Sequence, residues 1–217
     1  MPIKTFDKAK SRLRSALGAD QCAALARHMA EDVITALQNA ETIQGITVLG
    51  EEPAIGQFAR ELNCDFQAEN SAADLSANLD AAAQRLKLAG IDTLLVLPSD
   101  LPMLRAADID QLLSDHAGGL SLCPASRDGG TNALVISPPG TIEFCFGEQS
   151  ARHHLDAANV AELAAQRFSR QAFSRDIDTP EDLLYFCRQS STGCTADYLS
   201  TLRICETLSS TPAAALA

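Results

Sequence analysis

Long apolar runs are missing from this 217-residue sequence. None approaches the roughly 20 consecutive apolar residues that a membrane-spanning helix needs, and the N-terminal residues 1–4 (MPIK) lack a signal-peptide pattern. We therefore expect a cytoplasmic protein with no membrane association. Hydrophobic residues make up 46% and charged residues 21% of the chain, which is enough for one compact α/β domain with a buried core.

Basic residues are outnumbered. The 17 Lys and Arg face 28 Asp and Glu, for a formal net charge of -11. Such a chain repels a phosphate backbone, which argues against DNA or RNA as its main partner. A nucleotide could still bind where a few Lys and Arg, or a divalent cation held by carboxylates, supply positive charge. The alternative is that the charge serves solubility alone.

Cysteine spacing gives no sign of a disulfide framework or a zinc site. The seven cysteines are odd in number, and no two of them form a C-x-x-C pair. We expect reduced thiols that pack as small apolar residues, which fits the cytosol.

Apolar periodicity predicts alternating helices and strands. Helical spacing covers residues 20–37, 75–86, 106–116 and 151–165, a further helix starts at Thr179-Pro180, and a final helix and tail follow residue 190. Short β-branched or apolar runs predict strands at 46–49, 93–97, 120–123 and 133–136. This alternation predicts a mostly parallel, mixed sheet between helices, with ligands at the carboxyl ends of its strands.

Carboxylates follow two of the predicted strands. Asp100 comes after the apolar run 93–97, and Asp178 stands between a strand and a helix, with Asp176 two residues before it on the same side of an extended chain. Converging carboxylates suit Mg²⁺ beside a phosphate. The alternatives are that Asp100 caps the turn before Pro102 and that Asp178 is a pre-helical carboxylate favoured by the helix dipole.

Possible anion-binding groups occur in three further segments. Lys4, Lys8, Lys10 and Arg12, with the Ser11 hydroxyl, could neutralise a triphosphate or could form a solvated basic face. The segment 129–132 (GGTN) offers close backbone approach and side-chain donors, or is a plain turn. Ser150 is predicted to cap the helix that holds His153 and His154, leaving free N–H groups for an anion.

Taken together, these segments resemble the 2-phospholactate/phosphoenolpyruvate guanylyltransferase family of deazaflavin coenzyme F-420 biosynthesis. The resemblance spans about residues 1–186 and is carried by PIK at 2–4, AKSRL at 9–13, SDLP at 99–102, GTNAL at 130–134, FG at 146–147 with Ser150, HL at 154–155 and DIDTPED at 176–182.

That resemblance implies a single-domain, glycosyltransferase-A-like nucleotidyltransferase over residues 1–189, with residues 190–217 as a C-terminal extension. It implies GTP as donor and Mg²⁺ as cofactor. The acceptor would be 2-phospho-L-lactate, phosphoenolpyruvate or 3-phosphoglycerate, and the product would go to a deazaflavin transferase; a homodimer is possible. By position, the metal ligands would be Asp100 and Asp178, the acceptor contacts Lys4, Thr131, Gly147 and Ser150, and the nucleotide contacts Lys10, Ser11 and Arg12.

Three features of the sequence depart from the family pattern, one of which is the tail after Gln189, for which that pattern has no counterpart. Family members usually begin with a longer apolar first strand, and they often carry Leu-Asn where this chain has Leu75-Ser76, with Asn78 displaced. Two alternatives therefore stay open: a nucleotidyltransferase for a sugar phosphate or the molybdenum cofactor, and a catalytically silent nucleotide-binding protein. The former usually has a glycine-rich N-terminal loop, which is missing here.

Overall fold

The computed structural model describes residues 1–51, 53–189 and 192–210. Its strands form a parallel three-stranded sheet in the order β1-β2-β3 and a four-stranded sheet in the order β4-β6-β5-β7. In the second sheet, β6 runs antiparallel to β4 and β5, whereas β7 is parallel to β5. The strands are β1 (Pro2–Ile3), β2 (Thr47–Gly50), β3 (Asp65–Ala68), β4 (Leu94–Val96), β5 (Gly119–Pro124), β6 (Thr131–Ser137) and β7 (Ala165–Arg167). The predicted mostly parallel, mixed arrangement is confirmed.

Helices connect the strands and cover them. They are α1 (Ala19–Asn39), α2 (Ala54–Glu61), α3 (Leu75–Leu88), α4 (Ala106–Asp115), α5 (Ser150–Val160), α6 (Gln171–Ser174), α7 (Pro180–Cys187), α8 (Cys194–Leu202) and α9 (Ile204–Ser210). The start of α7 follows the sequence signal: the Thr179 side chain accepts a hydrogen bond from the Asp182 backbone N–H, and Pro180 takes the first helical position.

Strand β6 shows how the second sheet is buried on both faces. Ala133 and Val135 pack with α1 and α4, in a cluster that includes Val33 and Ile109. Alternate residues of the same strand, such as Leu134, pack with α3 and α5 on the other side. This alternation explains why the run reads as continuously apolar in the sequence.

Three sequence predictions need correction. The strand predicted before Asp178 is absent from the described residues, because the chain there forms helix α6 and a loop. The helix predicted over 151–165 ends at Val160, and the chain then forms the exposed strand β7, which has no apolar run to announce it. The single helix predicted after residue 190 is two helices, because Arg203 adopts a left-handed conformation with φ 50° between α8 and α9. The predicted tail falls partly on residues 190, 191 and 211–217, which lie outside the described part of the chain.

The expectation that all cysteines are reduced is wrong for one pair. Cys187 and Cys205 form a disulfide, with their Cα atoms 5.4 Å apart. They meet because α7 and α9 pack side by side, a tertiary contact that their spacing in the sequence does not encode. Cys22, Cys64 and Cys123 are free and buried, as expected for thiols used as apolar residues.

The C-terminal helices share a core with the rest of the chain. Leu199 of α8 and Leu208 of α9 are buried in a cluster with Leu25 of α1 and Phe186 of α7. A boundary at residue 189 therefore stays a prediction about sequence, because the packing is continuous across it. In the described residues, no helix combines the length and apolarity needed to cross a membrane.

Candidate active site

A cavity of about 320 Å³ opens where β1 ends, next to the loop that follows β4. Its charged lining consists of Lys4, Lys8, Lys10, Asp100 and Asp178. Both signs of charge thus meet in one cavity at the carboxyl end of a strand, where ligands of α/β proteins usually bind.

Two distant loops bring the carboxylates together. The Ile177 backbone N–H donates to the Asp100 carbonyl oxygen at 3.1 Å, which ties the loop after β4 to the loop before α7. As a result, one carboxylate oxygen from each of Asp100, Asp176 and Asp178 lies within 4.8 Å of the other two. The structure therefore brings together three aspartates that the sequence analysis singled out.

Lys10 lies between two of these carboxylates. Its Nζ is 2.5 Å from Asp100 Oδ2 and 2.9 Å from Asp178 Oδ1, and only 7% of its side chain is exposed. The backbone of Lys10 is left-handed, with φ 54°, at the start of a short 3-10 turn. This residue, predicted to contact nucleotide phosphates, is instead paired with the two aspartates predicted to hold metal.

Charge balance within the cluster shifts its titration. Burial alone would lower the pKa of Lys10, but the charges of Asp100 and Asp178 outweigh it and raise that pKa. Burial would likewise raise the pKa of Asp178, yet Lys10 and Arg127 hold it below its usual value. The pKa of Asp176 is raised, first by burial and then by the Asp100 charge. The cluster therefore still has carboxylate repulsion that its lysine does not remove.

Arg127 is a component of the site that the sequence analysis missed. Its Nη2 donates to Asp182 Oδ2 at 2.6 Å and lies 3.5 Å from Asp176 Oδ2, and its Nη1 lies 3.5 Å from Asp178 Oδ2. Only its position beside the Gly129-Gly130 turn could have pointed to it. Arg127 thus contacts the Asp178 oxygen that Lys10 does not, and it stabilises the loop before α7.

The donor set fits a hard divalent cation. Asp100 Oδ1 is buried and has no hydrogen-bond partner among the described residues, although a buried carboxylate oxygen normally has one. Lys10 takes the other oxygen of Asp100, so Oδ1 remains available beside Asp176 and Asp178. Three carboxylates with one unsatisfied oxygen are the kind of oxygen ligands that Mg²⁺ takes.

The remaining N-terminal cations are exposed at the mouth of this cluster. Lys4 and Lys8 line the cavity, with Lys4 immediately after β1. Arg12 Nη1 is 3.6 Å from Asp178 Oδ2, with 67% of its side chain exposed. Ser11 is exposed on the same turn. The predicted basic cluster therefore does face the aspartates.

Two of the predicted acceptor contacts, Thr131 and Ser150, form a second, neutral cluster with His154, whereas Lys4 lines the acidic cavity. The Ser150 hydroxyl donates to Thr131 Oγ1 at 3.0 Å, and Thr131 Oγ1 is 3.1 Å from His154 Nδ1. The Cys145 backbone N–H donates to His154 Nε2 at 3.0 Å, so the neutral ring carries its proton on Nδ1 and donates to Thr131. Burial lowers the pKa of His154 to about 4, with a smaller effect from the His153 charge.

The predicted capping role of Ser150 is wrong. Gln149 precedes the helix in a left-handed conformation, and Ser150 is the first residue of α5, fully buried. The N–H groups of Ser150 and Ala151 donate to the carbonyl oxygens of Gly147 and Gly129, so they are not free for an anion. The sequence shows a serine before a helix but not that this hydroxyl turns inward to Thr131.

Two groups beside the neutral cluster remain open. Gly147 is exposed and has φ 139°, with no atom within 4 Å of where a side chain would begin; that conformation favours glycine. Asn132 Nδ2 is buried and has no hydrogen-bond partner within the described ranges. The neighbourhood of Thr131 thus keeps an accessible backbone and one unused donor.

A larger cleft, of about 790 Å³, lies between α1, α4 and the C-terminal helices. None of the predicted site residues lines it, and neither does any member of the carboxylate cluster. We therefore take the smaller cavity, which contains the predicted site residues, as the candidate active site.

Comparison with known proteins identifies relatives along most of the chain. The family described as "Guanylyl transferase CofC like" matches residues 1–217. The chain is 36% identical over 191 residues to phosphoenolpyruvate guanylyltransferase of Roseiflexus sp. (strain RS-1), covering 87% of this chain and 84% of that protein. It is 29% identical over 184 residues to 2-phospho-L-lactate guanylyltransferase of Methanothermobacter thermautotrophicus, covering 84% of this chain and 80% of that protein.

Solved structures share the fold. A candidate nucleotide-diphospho-sugar transferase from Desulfovibrio desulfuricans G20 superposes with a TM-score of 0.79 at 20% identity, over 95% of both chains. CMP:2-keto-3-deoxy-manno-octonic acid synthetase, solved with CTP, superposes with a TM-score of 0.58 at 13% identity, over 85% of this chain and 94% of that one. The fold is that of α/β nucleotidyltransferases, as predicted, and the chain belongs to the guanylyl transferase CofC-like family.

Proposed function

We propose that this guanylyltransferase transfers GMP from GTP to a phosphorylated three-carbon acid, phosphoenolpyruvate or 2-phospho-L-lactate, and releases pyrophosphate. The observation that carries the proposal is the cluster of Asp100, Asp176 and Asp178, with Asp100 Oδ1 unpartnered, beside a cavity that also contains exposed lysines. Membership of the family indicates that the transferred group is a guanylyl group. The carboxylate cluster would be the place where the transfer occurs.

The reaction needs no covalent enzyme intermediate. A phosphate oxygen of the acid forms a bond to the α-phosphorus of GTP as the bond from that phosphorus to the β-phosphate oxygen breaks. The attacking phosphate is ionised at neutral pH, so no general base has to remove a proton from it. The burden on the protein is to position two anions and to offset their repulsion.

The carboxylates would supply that offset by holding Mg²⁺, which when bound screens the phosphates and polarises the α-phosphorus. Lys10 keeps Asp100 and Asp178 in place, through contacts at 2.5 and 2.9 Å. Arg127 also holds Asp176 and Asp178, each through its Oδ2 atom at 3.5 Å. Lys4 and Lys8, exposed in the cavity wall, are placed to meet phosphate oxygens of the two substrates.

The neutral cluster would bind the acceptor. Thr131 Oγ1 accepts two hydrogen bonds, from Ser150 and His154, so its own proton is directed away from both and can be donated to a ligand oxygen. Gly147 offers an open backbone and Asn132 an unused N–H. These neutral donors would orient a carboxylate or phosphate without cancelling the charge that Mg²⁺ must balance.

The two relatives define the acceptor choice. One is named for phosphoenolpyruvate and the other for 2-phospho-L-lactate, and 3-phosphoglycerate is a third three-carbon acid with one carboxylate and one phosphate. We place the product in coenzyme F-420 biosynthesis, where a transferase would join it to the deazaflavin precursor.

Pyrophosphate release tests the proposal. The full chain is incubated with each of the four ribonucleoside triphosphates and with each of the three acids or a sugar phosphate, with Mg²⁺ or with excess chelator. We expect release with GTP and at least one acid, and its loss on chelation. Release with CTP or UTP and a sugar phosphate would favour another nucleotidyltransferase, and no release with any pair would contradict the proposal.

A further inference from the structure

A second set of metal-ligating side chains lies away from the acidic cavity. His28 and Glu31 on α1 and Cys194 at the start of α8 each place one ligand atom within 4.8 Å of the other two. Tetrahedral zinc sites have bonds of about 2.0–2.3 Å, which corresponds to ligand atoms roughly 3.3–3.8 Å apart. We propose that His28, Glu31 and Cys194 bind a thiophilic divalent cation of the zinc class, with water as the fourth ligand.

The backbone holds the three ligands in place across a long stretch of sequence. The Asp32 carboxylate accepts the N–H groups of Cys194 at 2.7 Å and Thr195 at 2.9 Å, which pins the first turn of α8 to α1. His28 and Glu31 are three residues apart and so share one face of α1. The thiol therefore approaches a fixed pair of helical ligands.

The individual side chains are also oriented. His28 Nδ1 is 3.1 Å from Glu31 Oε2, and the His28 ring packs on Tyr198 with centroids 4.8 Å apart. Arg27 Nε is 3.3 Å from Glu31 Oε1. Arg27 thus engages one oxygen of Glu31 and leaves the other facing the histidine, where an ion would sit.

Local charge favours a cation at this position. The negative charges of Asp32, Glu31 and Asp197 act on the Cys194 thiol. A thiolate formed there alone would be repelled by the carboxylates, whereas a divalent ion attracts both. The ligand types separate this site from the acidic cavity, because thiolate and imidazole select zinc-class ions and Mg²⁺ prefers oxygen.

The bound ion would fasten the C-terminal helices to α1. The site joins α1 to α8, whose hydrogen-bonded residues Asp32 and Thr195 are 163 positions apart in the sequence. The ligands are therefore not held together in the unfolded chain. Binding energy is therefore available to stabilise the folded state.

Cadmium titration of the full chain tests the proposal, because a cysteine–cadmium bond absorbs in the ultraviolet. The Cys187–Cys205 disulfide is left intact, and Cys145→Ser serves as the matched control. Cys145 is also exposed and free, and its Sγ lies 3.7 Å from His153 Nδ1, but it is not part of a three-ligand cluster in the described residues.

We expect one equivalent of Cd²⁺ to saturate the band in the wild-type protein and in Cys145→Ser. The band should be lost in Cys194→Ser, and His28→Gln and Glu31→Gln should each weaken binding about 10-fold or more. Zn²⁺ should compete for the same site and raise the Tm of the wild-type protein. A band that persists in Cys194→Ser would overturn the proposal. So would unchanged affinity in both His28→Gln and Glu31→Gln, which would show a lone reactive thiol.

Discussion

The carboxylate cluster at the cavity and the neutral cluster at the start of α5 differ in charge and in how their polar atoms are hydrogen-bonded. Asp100, Asp176 and Asp178 are charged and partly exposed, and Asp100 Oδ1 has no partner among the described residues. Thr131, Ser150 and His154 are neutral and buried, and they hydrogen-bond one another. The first cluster keeps an unpartnered carboxylate oxygen, which we propose would bind a cation. In the second cluster the three side chains are hydrogen-bonded to one another, and the Thr131 hydroxyl proton remains for an outside acceptor.

Removing a carboxylate charge should have the largest effect. Asp100→Asn and Asp178→Asn keep the shape of the side chain but remove charge that would hold Mg²⁺, so we expect turnover to fall by about 100-fold or more. Pyrophosphate release at saturating GTP and acceptor measures this. Asp92→Asn, at an exposed position, should behave as wild type, and near-normal release by either cluster variant would refute the assignment.

Removing the cation that pairs with the carboxylates sharpens the comparison. Lys10→Met leaves Asp100 and Asp178 facing each other without their ammonium partner. Breaking a buried ion pair costs about 3–5 kcal/mol. Because the aspartates are 21% and 33% exposed, we expect a loss of roughly 2–3 kcal/mol in the free energy of unfolding.

Mg²⁺ should recover part of that stability in Lys10→Met and have less effect on the wild-type protein, since the freed carboxylates attract a cation more strongly. Urea unfolding with and without Mg²⁺ provides the measurement, and Lys87→Met, at an exposed position on α3, is the matched control. Equal Mg²⁺ effects in all three proteins would argue that the aspartates do not bind the ion.

In the neutral cluster, the Thr131→Val substitution tests whether the three hydrogen-bonded side chains act as a unit. Valine keeps the shape but leaves the Ser150 hydroxyl and the His154 N–H without their acceptor. We expect a loss of about 1–3 kcal/mol in the free energy of unfolding, together with a raised KM for the acceptor. Thr131→Ser retains the hydroxyl, so we expect it to keep most of the stability and an acceptor KM close to that of the wild-type protein. If Thr131→Val changed stability but left the acceptor KM unchanged, the cluster would be structural only.

Low pH should destabilise the neutral cluster by favouring the protonation of His154. Its pKa falls from the ordinary 6.5 to about 4 on burial, so the unfolded chain binds the proton more tightly. The contribution of neutral His154 to the stability of the fold is fully present above about pH 6.5 and is lost as the pH falls towards 4. From about pH 7 to pH 5 the loss is about 2 kcal/mol. Unfolding of the wild-type protein and His154→Gln at each pH measures it; an identical pH dependence in both would contradict the assignment.

Much of the framework could be predicted from the sequence because local signals and the fold agree. The apolar spacing of α1 and the Thr179-Pro180 start of α7 are realised as predicted. Asp100 follows strand β4 as predicted, whereas helix α6 and a loop, not a strand, precede Asp178. The two aspartates meet because the Ile177 N–H donates to the Asp100 carbonyl oxygen.

Other features depend on contacts that no local pattern carries. Arg127 joins the site through the loop before α7, and Cys187 reaches Cys205 only because two helices pack together. Ser150 shows a third limit: a serine at a helix start has two uses for its hydroxyl, capping or inward bonding, and the partner Thr131 decides between them.

A crystal structure of the full chain with Mn²⁺ and a GTP analogue that resists cleavage between the α- and β-phosphates would test the central claim most directly. The account predicts an anomalous manganese peak among Asp100, Asp176 and Asp178, with Asp100 Oδ1 as a ligand and the analogue's phosphates beside Lys4 and Lys8. A peak elsewhere, with Asp100 and Asp178 still paired only with lysine and arginine side chains of the protein, would contradict it.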